Sequence, residues 1–199
     1  GYKHGYTSLD LFLSPSDPFN CRFVPFLDLR GHLFDNGDPA ANAGLGLRFL
    51  LKEWIFGVNG YYDYRQTKHD HVYNQASAGI EVMNACWGLD FRINGYLPFG
   101  DRFGKLFSPE FGGFEDHFML LRFKQDIAMR GGNAEIGYHV PFKNPNVDLY
   151  FAGGSYYLQG RGRPAVGGQL RFALDLWNYV RLEANASYDK VFKWIGQGQ

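Results

Sequence analysis

The chain has 199 residues, 20 basic and 20 acidic side chains, and 45% apolar residues. That is enough for one sizeable core, and the charge is too evenly balanced to set up the field that draws nucleic acid. No apolar run approaches the roughly 18 residues of a membrane-spanning helix, and no signal-peptide h-region is read at the N-terminus, so a helical membrane protein is excluded.

Aromatic residues make up 18% of the chain and glycines number 26, which suits a β-rich fold. Along the chain the apolar residues recur at every second position, and a strand places such alternating sets on opposite faces. The pattern begins at TSLDLFL, with Leu9, Leu11 and Leu13 against Ser8 and Asp10. FVPFLDLRGHL sets Leu27, Leu29 and Leu33 against Asp28, Arg30 and His32, and AGLGLRFL sets Leu45, Leu47 and Phe49 against Gly46 and Arg48. FGVNGYYDYR offers Phe56, Val58, Tyr62 and Tyr64 against Asn59, Tyr61, Asp63 and Arg65. NQASAGIEV opposes Ala76, Ala78, Ile80 and Val82 to Gln75, Ser77 and Glu81. LDFRINGYLPF then opposes Leu89, Phe91, Ile93 and Leu97 to Asp90, Arg92, Asn94 and Tyr96.

After an interruption, GNAEIGYHV opposes Ala134, Ile136, Tyr138 and Val140 to Asn133, Glu135 and His139, and VDLYFAGGSYY carries Val147, Leu149 and Phe151. In GGQLRFALDL and YVRLEANASYD the residues Leu170, Phe172, Leu174, Val180, Leu182 and Ala184 face Gln169, Arg171, Asp175, Arg181, Glu183, Asn185 and Asp189. About ten such segments, joined by connectors such as SPSDPFN, FDNGDP, KNPN and GRGRP, predict a single all-β domain, an antiparallel up-and-down meander. Residues 100–124 read as a large loop with several Phe, with a strand beginning near its end.

Alternation alone does not tell a soluble barrel, apolar face inward, from an outer-membrane barrel, apolar face outward. Three features favour the second. The polar set pairs Arg with carboxylates in Asp-x-Arg repeats, Asp28/Arg30, Asp63/Arg65 and Asp90/Arg92, as suits a crowded lumen, while lysines fall mostly in connectors. Trp54, Trp87 and Trp177 sit in short turns that a meander brings to one end, as half of an aromatic belt. The opposite connectors are longer on average, SPSDPFN excepted, which assigns the Trp end to the periplasm. A small diffusion porin and a soluble lipid-carrying barrel with reversed faces remain alternatives.

Residues 57–100 resemble the most recognisable part of the inverse autotransporter β-domain, the translocator of intimin-like and invasin-like adhesins. The shared pattern is Gly57 to Asn59, the acidic Asp63, the loop histidines His69 and His71, Gly79 with Glu81, and Asn94 to Pro98. NAEIGYHVPF (133–142) and LRFALDLWNYVRLEANASYD (170–189) are similar to later strands of that family. The resemblance implies a transmembrane β-barrel of twelve strands in the bacterial outer membrane. It also implies membrane lipids and the barrel assembly machinery as partners, and a C-terminal adhesin-like passenger threading the lumen. Against that pattern, residues 1–199 read as a barrel truncated at both ends, with an open seam.

No cofactor, metal or catalytic residue is expected. His69, Asp70 and His71 have metal-ligating chemistry but lack a third ligand nearby, and Ser77, Ser155 and Ser187 lie in strands without a nucleophile motif. Cys21 and Cys86, both at the Trp end but three strands apart, are expected not to bridge. The residues expected to face a lumen are Asp28, Arg30, Arg48, Asp63, Arg65, Glu81, Asp90, Arg92, Glu135, Arg171, Asp175, Arg181, Glu183 and Asp189. Their first role would be to satisfy one another; their second would be to present a polar wall to a threading chain.

Overall fold

A computed structural model describes residues 5–14, 22–67, 71–115, 118–142, 146–177 and 180–198. The strands are β1 (Tyr6–Leu13), β2 (Phe23–Phe34), β3 (Pro39–Leu51), β4 (Trp54–Gln66), β5 (Val72–Asn84), β6 (Leu89–Phe99), β7 (Phe103–Glu115), β8 (Phe118–Ile127), β9 (Arg130–Val140), β10 (Val147–Gln159), β11 (Ala165–Leu176), β12 (Val180–Asp189) and β13 (Lys193–Gly198). Eleven of them form one antiparallel sheet in the order β1-β2-β3-β4-β5-β6-β9-β10-β11-β12-β13. The predicted meander is thus the observed fold. Ten antiparallel steps separate β1 from β13, so these edge strands run in the same direction; no pairing joins them among the described residues.

Residues 100–124, expected as a loop, are mostly strand. β7 and β8 pair as a separate ribbon whose register slips at three places, between Phe103/Leu106, Phe107/Glu110 and Phe111/Gly113. Each slip shifts the side-chain period, so no sustained alternation survives in the sequence to announce the strands. The ribbon continues the β6–β9 hairpin beyond the sheet. Its base is tied down where Tyr73 Oη donates to Asp126 O (2.8 Å), Ala128 N to Arg102 O (3.0 Å) and Gln125 Nε2 to Gly104 O (2.8 Å).

The distribution of burial reverses that of a soluble sheet. The register places Leu47, Val58, Ile80 and Ile93 in one cross-strand row, and that face is bare: Leu45 is 68% exposed, Ile80 58% and Leu170 64%. The other face holds nearly everything that is buried in the strands. Its buried apolar members are Val24, Phe26, Tyr150, Ala152, Ala165 and Ala173, and beside them lie Asp28, Glu81, Asp90, Glu135 and Asp189, each at 7% exposure or less. Phe12 stacks on Phe26 on this same side, with ring centroids 5.4 Å apart. Residues that would cost most to desolvate are thus enclosed, and residues that gain most from leaving water stand outside.

Candidate functional site

The enclosed face is built from the alternate positions of each strand, and the pairing registers put every sequence-predicted polar residue on it. One row runs Arg48, Gly57, Glu81, Arg92, Glu135, Gly154 and Gln169 across β3 to β11, an alternation of sign over neighbouring strands. Opposite charges at facing positions stabilise a sheet, whereas like charges there oppose it.

The partners are specific. Arg30 holds Asp28 with two bonds, Nε at 3.0 Å and Nη2 at 2.6 Å. Arg48 Nε reaches Glu81 Oε1 at 2.6 Å and its guanidinium lies 4.9 Å from the Phe26 ring. Arg92 pairs with Asp90 at 3.1 Å, and Arg171 pairs with Glu135, which also accepts from Gln169. Arg181 contacts Asp175 at 3.3 Å and Glu183 at 3.5 Å. Asp63 accepts from Asn42 and Gln75, and Arg65 packs over the Phe34 ring at 5.2 Å. Asp189 accepts from Tyr156 and from the amides of Val191 and Phe192, both at 2.6 Å.

Several of these bonds skip a strand. Arg48 and Glu81 lie on β3 and β5, on either side of Gly57 of β4; a Cβ on Gly57 would overlap the Glu81 side chain. Likewise Tyr150 of β10 donates to Asp90 of β6 (3.0 Å) over Gly137 of β9, where a Cβ would collide with both partners. Tyr61 donates to Asp28 at 3.0 Å over Gly44, and Tyr156 to Asp189 over Gly167. These three tyrosines are absent from the sequence-predicted set. The available signal was their place in the polar phase of the alternation, where a phenol brings a hydrogen-bonding tip on a long stem. Arg92 and Arg171 both approach the Tyr150 ring, at 6.0 and 5.5 Å, so this ring joins two ion pairs.

On the bare face, aromatic residues gather at the two ends. Trp54 opens β4, Trp87 lies in the turn after β5, and Trp177 follows β11, all at one end of the sheet; Trp54 and Trp87 meet edge to face with centroids 5.9 Å apart. At the opposite end Tyr62 meets Phe99 (6.1 Å) and Tyr188 meets Trp194 (5.1 Å). Trp54 and Tyr64 are ten residues apart on β4. That is about 33 Å of strand, or about 25 Å along the axis at the tilt usual in transmembrane barrels, the height of their apolar band.

Cys86 is exposed with a free thiol, while Cys21 lies outside the described residues. His69 and Asp70 lie outside them too; His71 Nε2 is 3.1 Å from the carbonyl oxygen of Asp101, and no cluster of three metal-ligating side chains occurs among the described residues.

An up-and-down antiparallel sheet with carboxylates enclosed, aliphatic residues outside and aromatic residues at both ends of the apolar face has the pattern of an outer-membrane β-barrel wall. The family model described as "Inverse autotransporter, beta-domain" matches residues 22–106. This segment is thus similar to the inverse autotransporter β-domain family, an outer-membrane barrel domain of type V secretion. A solved structure described as "Unveiling the Mechanism Behind the in-meso Crystallization of Membrane Proteins" is similar in fold. Its TM-score is 0.62 at 16% identity, over 98% of this chain and 76% of that one. Among curated proteins, none matches.

Proposed function

We propose that residues 1–199 form one barrel domain that anchors an adhesin-like passenger in the bacterial outer membrane and translocates it, C-terminal to the barrel, through a lumen lined by the charged face. The observation that carries this reading is the reversed burial: Glu81 and Asp28 enclosed, Ile80 and Leu45 bare. The apolar band fixes the wall in acyl chains and the strand ladders satisfy the backbone there. Most of the carboxylates are already paired with arginines, and Asp63 and Asp189 accept from neutral donors, so an extended polypeptide meets a polar surface with few unpaired charges to trap it. Membrane lipids and the barrel assembly machinery are the accompanying partners. Trp54, Trp87 and Trp177 sit at the periplasmic interface in this arrangement.

The test uses cysteines placed on each face of the full-length protein. Leu45→Cys and Ile93→Cys react with a bilayer-restricted probe, while Asn59→Cys and Ser77→Cys react with a water-soluble maleimide. The reverse pattern overturns the membrane wall. An epitope fused C-terminal to the barrel becomes protease-accessible on intact cells; an epitope that stays protected overturns translocation and leaves the wall standing.

A further inference from the structure

The arginines of the two regions differ in one respect. On the charged face Arg30, Arg48, Arg92, Arg171 and Arg181 each hold a carboxylate. At the end opposite the tryptophan turns, Arg102, Arg130, Arg161 and Arg163 hold none among the described residues. Arg102 and Arg161 converge on one ring, their guanidinium carbons 5.9 and 5.7 Å from the centroid of Phe103. Arg102 Nε is buried without a hydrogen-bond partner. Arg163 is exposed in the same short connector as Arg161, and Arg130, on the bare face at the start of β9, donates to Gln159 at 3.1 Å. The nearest acidic group by sequence is otherwise engaged: the Asp101 carboxylate accepts from the Phe103 amide at 3.3 Å.

From this we infer a site for the phosphate group of a lipid headgroup, formed by Arg102, Arg161 and Arg163 with Arg130 beside them. Guanidinium forks match phosphate oxygens in geometry and charge, and an arginine fixed over an aromatic ring is held for the purpose. The location selects a lipid over a free anion. Tyr157, exposed on the apolar face, lies two positions below Gln159 on β10, so the arginines stand where an apolar belt gives way to headgroups. The inference rests on the membrane reading above.

The test is native mass spectrometry of the detergent-solubilised full chain with phosphatidic acid, diacylglycerol or inorganic phosphate. Wild type retains phosphatidic acid at least tenfold better than the triple variant Arg102→Gln/Arg161→Gln/Arg163→Gln, and Lys190→Gln, at the same end, behaves as wild type. Diacylglycerol is not retained, and inorganic phosphate in hundredfold excess does not compete. Equal retention by wild type and the triple variant, or retention of diacylglycerol, overturns headgroup recognition; competition by inorganic phosphate overturns the lipid as its source. A protein whose Ile93→Cys variant is labelled from the bilayer but which retains no phosphatidic acid sinks this site alone, not the barrel.

Discussion

Arg48 Nε lies 2.6 Å from Glu81 Oε1 although a whole strand, β4, runs between them. The pair exists because Gly57 leaves the gap unfilled, which makes a glycine on β4 part of an ion pair it does not chemically join. Gly57→Val is expected to cost about 1–3 kcal/mol, since it displaces Glu81 and leaves buried charge unsatisfied. Gly60→Val, on the bare face with nothing closer than 3.7 Å to a new Cβ, is expected to stay within about 0.5 kcal/mol of wild type. Urea unfolding in lipid bilayers measures both; equal costs would disprove the strand-skipping role.

Tyr150 connects β10 to β6 through Asp90, and the two arginines flanking its ring depend on its position. Tyr150→Phe keeps the ring and removes the donor, for an expected loss of about 0.5–1.5 kcal/mol. Tyr157→Phe, on the opposite face, is expected to be near neutral. The same unfolding assay separates them.

Charge placed on the apolar face should be penalised according to depth. Ile80→Arg, in the middle of its strand, is expected to cost about 2–4 kcal/mol, and Tyr138→Arg, near the tryptophan end, about 0–1 kcal/mol. Folding equilibria in bilayers give both values. A cost independent of position would remove the case for an acyl environment.

Single-tryptophan variants retaining Trp54, Trp87, Trp177 or Trp194 should each be quenched more by lipids brominated near the headgroup than by lipids brominated near the chain terminus, because indole rings favour the interface. Fluorescence in labelled vesicles reads this directly. Stronger quenching from the bilayer centre would contradict the two aromatic belts.

The sequence revealed those parts of the fold that depend on period two. Leu45, Val58, Ile80, Ile93 and Leu170 announce one face by simple alternation, as do Asp28, Arg92 and Arg171 the other. Most of the β7–β8 ribbon is not legible because its register slips repeatedly. Phe12, Val24 and Phe26 also depart from the simple division by polarity: they share the face of Asp28, where Val24 and Phe26 are buried among ionic groups and Phe12, half exposed, stacks on Phe26. Hydrogen bonds over Gly44, Gly57, Gly137 and Gly167 were not legible at all. They depend on which residues of three strands share a row, and local sequence carries no record of that register.

The parity of the sheet sets a rule for its completion. With β1 and β13 pointing the same way, an added hairpin would leave two like-directed borders facing each other again. A lone strand running counter to both satisfies either margin with the antiparallel bonding used throughout the rest of the sheet. Sealing the circumference with antiparallel ladders throughout therefore takes one, or another odd number, of guest strands, whereas a two-stranded insert leaves one parallel seam.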